Sequence, residues 1–254
     1  MASAPVARLR QAFDGLTLAA TFLTIAPLPV RRDVQSRWTA AWFPLVGAVV
    51  GAAAGGVRIG LDRALGPGPA AALAVVTLIV LTGALHQDGL ADCADGLGVR
   101  GDRARRLAVM REPQVGVFGV LAVALWLLVL VLALAGLPRV DALSALIVAC
   151  ALARWAALAH ATATAPARRD GLGAAFDVGA GPLVLASVSA VGVSFVFTPP
   201  LRALTVLAAA VVTAGLVSLW ARRAVGGRTG DTLGATVALT ELVVCLVLLV
   251  FARG

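Results

Sequence analysis

Long apolar runs alternate with short polar segments along almost the whole chain. Seven runs approach the ~20 residues that an α-helix needs to cross a hydrocarbon core, and they occupy 38–57, 70–85, 115–137, 142–165, 178–198, 203–221 and 232–252. An eighth run, 15–30, is shorter and contains Pro27 and Pro29. We therefore predict an all-α fold, a polytopic transmembrane helix bundle of about seven spanning helices. The short Pro-containing N-terminal segment is predicted to be re-entrant or interfacial.

Composition agrees with this pattern. Hydrophobic residues make up 60% of the 254 positions and charged residues only 13%, about half of the charge that a soluble domain carries. We expect one integral membrane domain, 1–254, whose first partner is the lipid bilayer.

Arginine alone carries the positive charge of the chain. The net charge is +8, and all 21 basic residues are arginines that mostly stand between apolar runs. The positive-inside rule explains this placement better than nucleic-acid binding does. If segment 15–30 returns to its own side, one face holds fifteen arginines and the other five, whereas a crossing would make the division thirteen to seven. Either way, the loops around 86–113, 166–177 and 222–231 share the arginine-rich face, which should be the cytoplasmic side of a bacterial inner membrane.

The stretch HQDGLADCADGL, directly after the second spanning run, is the most informative polar motif. On a helix, Asp92 lies about 40° from Asp88 and Asp95 about 20° to the other side, so the three carboxylates share one face. Like charges at this spacing repel and need a cation or an arginine partner. Oxygen ligands in this number suit Mg²⁺ or Mn²⁺. The alternative is a solvated acidic helix end balanced by the arginines that follow it.

A second polar motif opens the last apolar run, with residues Gly226, Gly227, Arg228, Thr229, Gly230 and Asp231. The glycines permit a turn, and Asp231 is expected to be the N-cap of the next helix. The amides of that helix, together with Arg228, would bind phosphate. A glycine-rich turn of this kind is also a plain helix start in many proteins.

Two charged residues are predicted inside the membrane. Glu241 lies ten residues beyond Asp231, which is ~15 Å along a helix, and Arg154 lies at a similar depth in its own run. Because charges inside a membrane are costly and usually paired, an ion pair between them is favoured over a direct contact of either residue with substrate.

The histidines and cysteines limit the other kinds of site. His86 precedes the acidic face and is a candidate base or ligand, whereas His160 is expected to be packed or interfacial, and two histidines form no multi-histidine metal site. Cys93, Cys150 and Cys245 lie far apart, without the paired spacing of a zinc site or a disulfide framework. Loop 167–177 has two arginines and two aspartates, and is either an adaptable lid or a solvated loop.

Seven short motifs, in order along nearly the whole chain, resemble the cobalamin synthase (adenosylcobinamide-GDP ribazoletransferase) family. They are FLTIAPLP (22–29), FPLVGAVVG (43–51), HQDGLADCADGL (86–97), GVFGV (116–120), ARWA (153–156), DGLGAAF (170–176) and GGRTGDTLGA (226–235). The chain departs from the family pattern at Ala84, where glycine is usual, at Gln87, where leucine is favoured, and at 112–114, where a contact with substrate is expected to differ.

The resemblance implies transfer of a phosphocobinamide group. In that reaction the 5′-hydroxyl of α-ribazole, or its 5′-phosphate form, attacks the cobinamide-side phosphorus of adenosylcobinamide-GDP, and GMP leaves. The chemistry requires a metal ion on the diphosphate, positive charge for the leaving phosphate and a base for the hydroxyl. We therefore expect Asp88 and Asp92 to bind Mg²⁺, Asp95 to bind the metal or act as the base, and the 226–231 turn to bind phosphate. His86 is the other catalytic candidate, and homo-oligomerisation is left open.

Two other functions compete with this one. The CDP-alcohol phosphotransferases also use helical aspartates, but their motif continues with Ala-Arg after Asp-Gly, whereas Leu97 and Gly98 follow Gly96 here. A transporter or channel with Glu241 and Arg154 in a polar pathway would be supported by two inverted halves, and the sequence contains no such repeat.

Overall fold

The computed structural model describes residues 4–29, 38–175 and 178–253, and this part of the chain is helical throughout. The helices are α1 (Ala4–Leu23), α2 (Phe43–Leu65), α3 (Pro67–Thr82), α4 (Leu85–Gly98), α5 (Arg103–Val109), α6 (Val117–Gly136), α7 (Arg139–Ala163), α8 (Leu172–Ala175), α9 (Ala180–Phe197), α10 (Pro200–Ala224) and α11 (Gly230–Arg253), with a 3-10 helix at Thr39–Trp42 before α2. Within these ranges there is no β-strand, so the predicted all-α class is confirmed. Arg31, Arg32, Arg37, Phe176 and Asp177, which entered the sequence argument, lie outside the described residues.

Six helices of the described chain are long and apolar enough to cross a membrane: α6, α7, α9, α10, α11, and α2 together with its preceding 3-10 turn. The seventh candidate is the pair of α3 and α4, whose axes differ by 92°. α1 begins earlier than the predicted segment 15–30 and ends before Pro27. Its apolar part, Phe13–Leu23, falls short of the ~20 residues of a spanning helix. The count of about seven spans is therefore confirmed.

The bend between α3 and α4 comes from two consecutive residues in the left-handed region. Gly83 has φ +60° and Ala84 has φ +58°. Gly83 is the C-cap of α3 and Ala84 the N-cap of α4. The predicted continuous run 70–85 thus ends at the bend, and the aspartates belong to a separate helix that packs on α11 and α6.

α7 is the central helix of the bundle and packs most extensively against α2 and α11. Glycines permit the close approach of α2, because a Cβ at Gly47, Gly51 or Gly55 would collide with Cys150, Leu146 or Leu143 of α7. These three glycines thus form a small-residue seam between α2 and α7. His160 of α7 is fully buried and hydrogen-bonds Ser218 and Thr232, as expected of a packed histidine. The three cysteines are buried and unbonded to one another.

Contacts between helix ends define the two faces of the bundle. At one end, Asp62 of α2 pairs with Arg58 and Arg139, and Arg202 of α10 lies 3.7 Å from Asp141 of α7. At the other end, Arg103 of α5 donates to the Ala167 carbonyl over 2.6 Å. The loops around 86–113, 166–177 and 222–231 meet at this second end, as the alternation of spans predicts.

Candidate active site

The acidic helix α4 and the start of α11 touch at the loop-rich end of the bundle. Gly89 makes the contact possible, because a Cβ there would lie 2.7 Å from the carbonyl oxygen of Asp231. Asp88 and Asp92 flank this contact, the first exposed and the second half-buried. The sequence motifs that contain Asp88, Asp92 and Asp231 are therefore brought together, although more than 130 residues separate them.

These carboxylates interact electrostatically. Asp231 and Asp88 repel the charge of Asp92, and Asp88 repels that of Asp231, whereas Arg168 attracts both Asp92 and Asp231. The side chains of Arg168 and Asp231 approach to 4.0 Å. Mutually repelling carboxylates at a partly open surface form a donor set that a hard divalent cation stabilises, so these residues fit Mg²⁺. Among the described residues no three His, Cys, Asp or Glu side chains already converge on one point as metal ligands.

Asp95 points away from the other aspartates of its helix toward the start of α6. Its two carboxylate oxygens accept hydrogen bonds from the amides of Gly116 and Gly119, over 2.7 and 2.8 Å. A Cβ at either glycine would overlap this carboxylate, which explains the spacing of the GVFGV motif. The carboxylate compensates the unpaired amides and the positive end of α6. Asp95 therefore shares the helix but not the contacts of Asp88 and Asp92.

The glycine-rich turn 226–231 packs against the segment that follows α7. The amide of Arg228 donates to the Ala165 carbonyl over 2.8 Å, and the amide of Ala167 donates to the Arg228 carbonyl over 2.8 Å. A side chain at Gly226, which has φ +79°, would meet the guanidinium of Arg103, and one at Gly227 would meet the Ala165 carbonyl. The turn is thus a packed element whose glycines are needed for close approach.

Arg228 and Asp231 of this turn have roles in the structure that differ from those predicted from the sequence. The guanidinium of Arg228 is buried and donates to the carbonyls of Gly173, Ala161 and Thr164, so these bonds tie α7 and α8 to the turn. Asp231 is not the N-cap of α11. That position belongs to Thr229, whose hydroxyl accepts from the Thr232 amide over 3.2 Å. Asp231 stands two residues further on, in the first turn of α11, and lines the pocket described next.

Arg168 is the arginine that sequence reasoning missed. It lines a pocket of about 170 Å³ together with Asp170, Gly173, Thr229 and Asp231. Burial and the nearby charge of Arg111 lower the pKa of Arg168, and its Nε has no hydrogen-bond partner among the described atoms. Its presence in the loop 167–177 was visible in the sequence, but nothing in the motif distinguished it from Arg169.

The two intramembrane charges form the predicted ion pair. Nη1 of Arg154 contacts Oε1 of Glu241, and both side chains are inaccessible to solvent. His86 lies beside Arg154 in a small apolar pocket under Gly230, two residues before the exposed Asp88. The structure thus places the predicted residues at two levels, with carboxylates at the surface and His86, Arg154 and Glu241 beneath them.

The fold and the site define a multi-pass α-helical membrane protein with a carboxylate cluster beside a pocket that Arg168 lines. The chain belongs to the cobalamin-5-phosphate synthase family, whose model matches residues 15–249.

Curated relatives cover nearly the whole chain. It is 40% identical to the adenosylcobinamide-GDP ribazoletransferase of Thiobacillus denitrificans, over 94% of this chain and 98% of that protein. The proteins of the same name from Mesorhizobium japonicum and Chlorobaculum tepidum are 38% and 37% identical, and cover 94% and 95% of the chain and 93% and 97% of their own lengths. No solved structure matches.

Proposed function

We propose that this protein is an adenosylcobinamide-GDP ribazoletransferase of the bacterial inner membrane, with its site on the cytoplasmic face. It joins the phosphocobinamide group of adenosylcobinamide-GDP to α-ribazole or α-ribazole 5′-phosphate and releases GMP. The family description names a 5-phosphate product. With the phosphorylated substrate, the 5′ oxygen is already esterified, so the attacking hydroxyl is one on the ribose ring and not the 5′-hydroxyl that we expected from the sequence.

One observation carries the proposal: Asp92 and Asp231 face Arg168, with Asp88 beside them, where α4 meets the N-terminus of α11. Carboxylates for a metal ion and a base, next to a cation and unpaired helix amides, are the groups that displacement at a diphosphate requires. A structural acidic helix end would need neither the pocket nor the close contact between α4 and α11.

Asp88 and Asp92, with Asp231 beside them, would hold Mg²⁺. When bound, Mg²⁺ would supply positive charge to the diphosphate oxygens. A carboxylate of this cluster accepts the proton of the attacking ribose hydroxyl, a new O–P bond forms, and the bond from phosphorus to the GMP oxygen breaks. Asp95 is a positioning residue in this scheme, because its carboxylate fixes the start of α6 against α4.

Arg168 and the first turn of α11 bind the phosphate that leaves with GMP. The first amides of a helix have no acceptor within the helix and attract anions, and those of α11 open at Gly230 into the pocket of Arg168. Arg111 extends the positive surface and is held by Asp170 through two hydrogen bonds of 2.8 Å. Arg228 contributes by fixing the turn.

The proposed orientation of the protein in the membrane rests on the distribution of arginines between its two faces. In the preferred arrangement, fifteen of the 21 arginines fall on the face of the site, and positive loops stay in the cytoplasm. Adenosylcobinamide-GDP is a large charged molecule, and a cytoplasmic site would receive it without transport.

The test is turnover by the purified protein in nanodiscs with adenosylcobinamide-GDP, α-ribazole and Mg²⁺. We expect GMP and adenosylcobalamin in equal amounts, no GMP without α-ribazole, and loss of turnover when EDTA removes the metal. Arg168→Ala should lower kcat by about a hundredfold or more, the size of effect seen on removal of one transition-state donor. The neighbouring Arg169→Ala, on the exposed side of the loop, is the matched control. GMP release that does not depend on α-ribazole would contradict the transferase activity.

A further inference from the structure

Beneath the first turn of α11 lies a small apolar pocket that the chemistry above does not use. It encloses about 50 Å³ and its walls come from five helices, with Phe22, Phe43, Leu85, Ala157, Leu233 and Val237 as the apolar lining. The rings of Phe22 and Phe43 stack with centroids 5.8 Å apart and planes 19° from parallel. The shape and lining favour a flat apolar group.

Polar atoms without partners lie at the wall of this pocket. Arg154 is fully buried, and its Nε and Nη2 have no hydrogen-bond partner among the described atoms, although Nη1 contacts Glu241. Nδ1 of the buried His86 is also unpartnered there. A guanidinium can only donate, and a buried donor left without an acceptor costs about 1–3 kcal/mol. The pocket therefore fits an apolar group that carries one acceptor atom.

The pocket lies directly under the phosphate-binding region. Gly230 lines both this cavity and the pocket of Arg168, and Leu85 and His86 stand at the start of the helix that carries Asp88 and Asp92. A molecule whose apolar part fills the lower pocket would therefore place its next atoms beside the carboxylates.

We propose that this pocket holds the dimethylbenzimidazole ring of α-ribazole, with its free imine nitrogen accepting a hydrogen bond from Arg154. The inference rests on the proposed transferase activity and assigns one substrate to one part of the site. The ring is flat and apolar except for that nitrogen, and its ribose emerges at Gly230 next to Asp88 and Asp92. A lipid acyl chain would fill the apolar walls but would leave the donors of Arg154 unpaired.

The volume of the pocket without a ligand is only that of a few water molecules. The bicyclic ring therefore enters only when one of the side chains that line the pocket moves. The side chain of Phe22 can move in this way, because it is 38% exposed and stands at the end of α1. Its outward rotation would open the cavity, and its return would stack the ring on the bound base.

The test is equilibrium dialysis of α-ribazole against the metal-free protein in nanodiscs. Ala157→Leu fills the pocket and should weaken binding of α-ribazole about tenfold or more, the usual penalty when one or two methyl groups no longer fit. The same variant should lose much less affinity for the benzimidazole riboside that lacks both methyl groups. Ala159→Leu, two residues on and in the lipid-facing groove between α7 and α10, is the control and should bind both ribosides like the wild type.

Leu233→Ala supplies the opposite change if Ala157→Leu fails to fold. It widens the pocket, and the riboside of a naphtho-fused imidazole should then bind better than it binds to the wild type. In turnover assays, both variants should change KM for α-ribazole and leave KM for adenosylcobinamide-GDP unchanged.

An equal loss for the two ribosides in Ala157→Leu, or unaltered ring preference in Leu233→Ala, would overturn this assignment. Wild-type turnover separates that outcome from failure of the proposed function, in which the wild type itself would form no adenosylcobalamin.

Discussion

Ala84, at the bend between α3 and α4, has a backbone conformation with a visible structural cost. It is the only residue other than glycine with positive φ in the described chain, and such a conformation costs an L-residue roughly 1–2 kcal/mol. We predict that Ala84→Gly raises the melting temperature, with a net gain of about 1 kcal/mol once the greater freedom of glycine in the unfolded chain is counted.

The matched control for that change is Gly83→Ala. At φ +60°, its new Cβ would lie 3.0 Å from Ile25, so thermal unfolding in detergent should begin at a lower temperature than in the wild type. A fall in stability for Ala84→Gly would show that the left-handed geometry does not strain this bend.

Arg154 and Glu241 form a buried pair whose two charges depend on each other. Removing one leaves a lone charge inside the bundle, at an expected cost of about 3 kcal/mol or more, whereas neutralising both avoids it. Arg154→Met and Glu241→Gln should each lower the melting temperature, and the double variant should recover a substantial part.

Turnover then separates two roles for the pair. If stability returns without activity, one of the charges also touches substrate, as the proposed contact of Arg154 with the ribazole base requires. Additive losses in the double variant would mean that the two residues are not coupled.

At the scale of the helix, the three aspartates of α4 should behave as two classes. Asp88→Asn and Asp92→Asn should lower turnover by orders of magnitude and weaken its Mg²⁺ dependence, with little change in melting temperature. Asp95→Asn should also lower the melting temperature, with a loss of about 1–3 kcal/mol in the free energy of unfolding. An uncharged side-chain amide has only one oxygen and cannot accept strong hydrogen bonds from both Gly116 and Gly119.

Gly119→Ala is a second probe of the same contact, since its Cβ would displace the Asp95 carboxylate. Equal melting temperatures for Asp95→Asn and Asp92→Asn would contradict the division. Mg²⁺ titration of turnover in each variant gives the other half of the comparison.

A second prediction at the scale of the helix concerns the small-residue seam between α2 and α7. A Cβ at Gly51 would overlap the backbone of Leu146, so Gly51→Ala should separate the two helices and cost about 1–3 kcal/mol. Gly56, on the same helix, has nothing within 4 Å of a new Cβ. Gly56→Ala should therefore keep the wild-type melting temperature or raise it slightly. Equal losses in the two variants would show that the close approach of α2 to α7 at Gly51 is not what the change disrupts.

For the whole molecule, the testable quantity is the orientation. α11 runs from Gly230 at the site to Arg253 at the far end of the bundle. If α11 crosses the membrane, the loops of the active site and the carboxyl terminus therefore lie on opposite sides. A reporter fused after Arg253 should be periplasmic, and one fused after Ala224, before α11, should be cytoplasmic. Identical locations for both fusions would contradict the crossing of α11.

The sequence alone determined the class of fold, the approximate number of crossings and the helical motif that holds the aspartates. It could do so because hydrocarbon requires each spanning backbone to satisfy its own hydrogen bonds, which makes apolar length a direct measure of a span. It also determined the pairing of Arg154 with Glu241, since two opposite charges at one depth inside a membrane stabilise each other.

Only the tertiary structure decided where the polar groups at the loop-rich end point. Asp95 is directed to Gly116 and Gly119, and Arg228 to three carbonyls. Arg168 donates to the Leu107 carbonyl and lies 4.0 Å from Asp231. These contacts join residues that are 21 to 67 positions apart, and no local period records them. The side chain of an arginine or aspartate goes to whichever donor or acceptor the packed helices leave unsatisfied, and that is decided only when α4, α6, α7 and α11 come together.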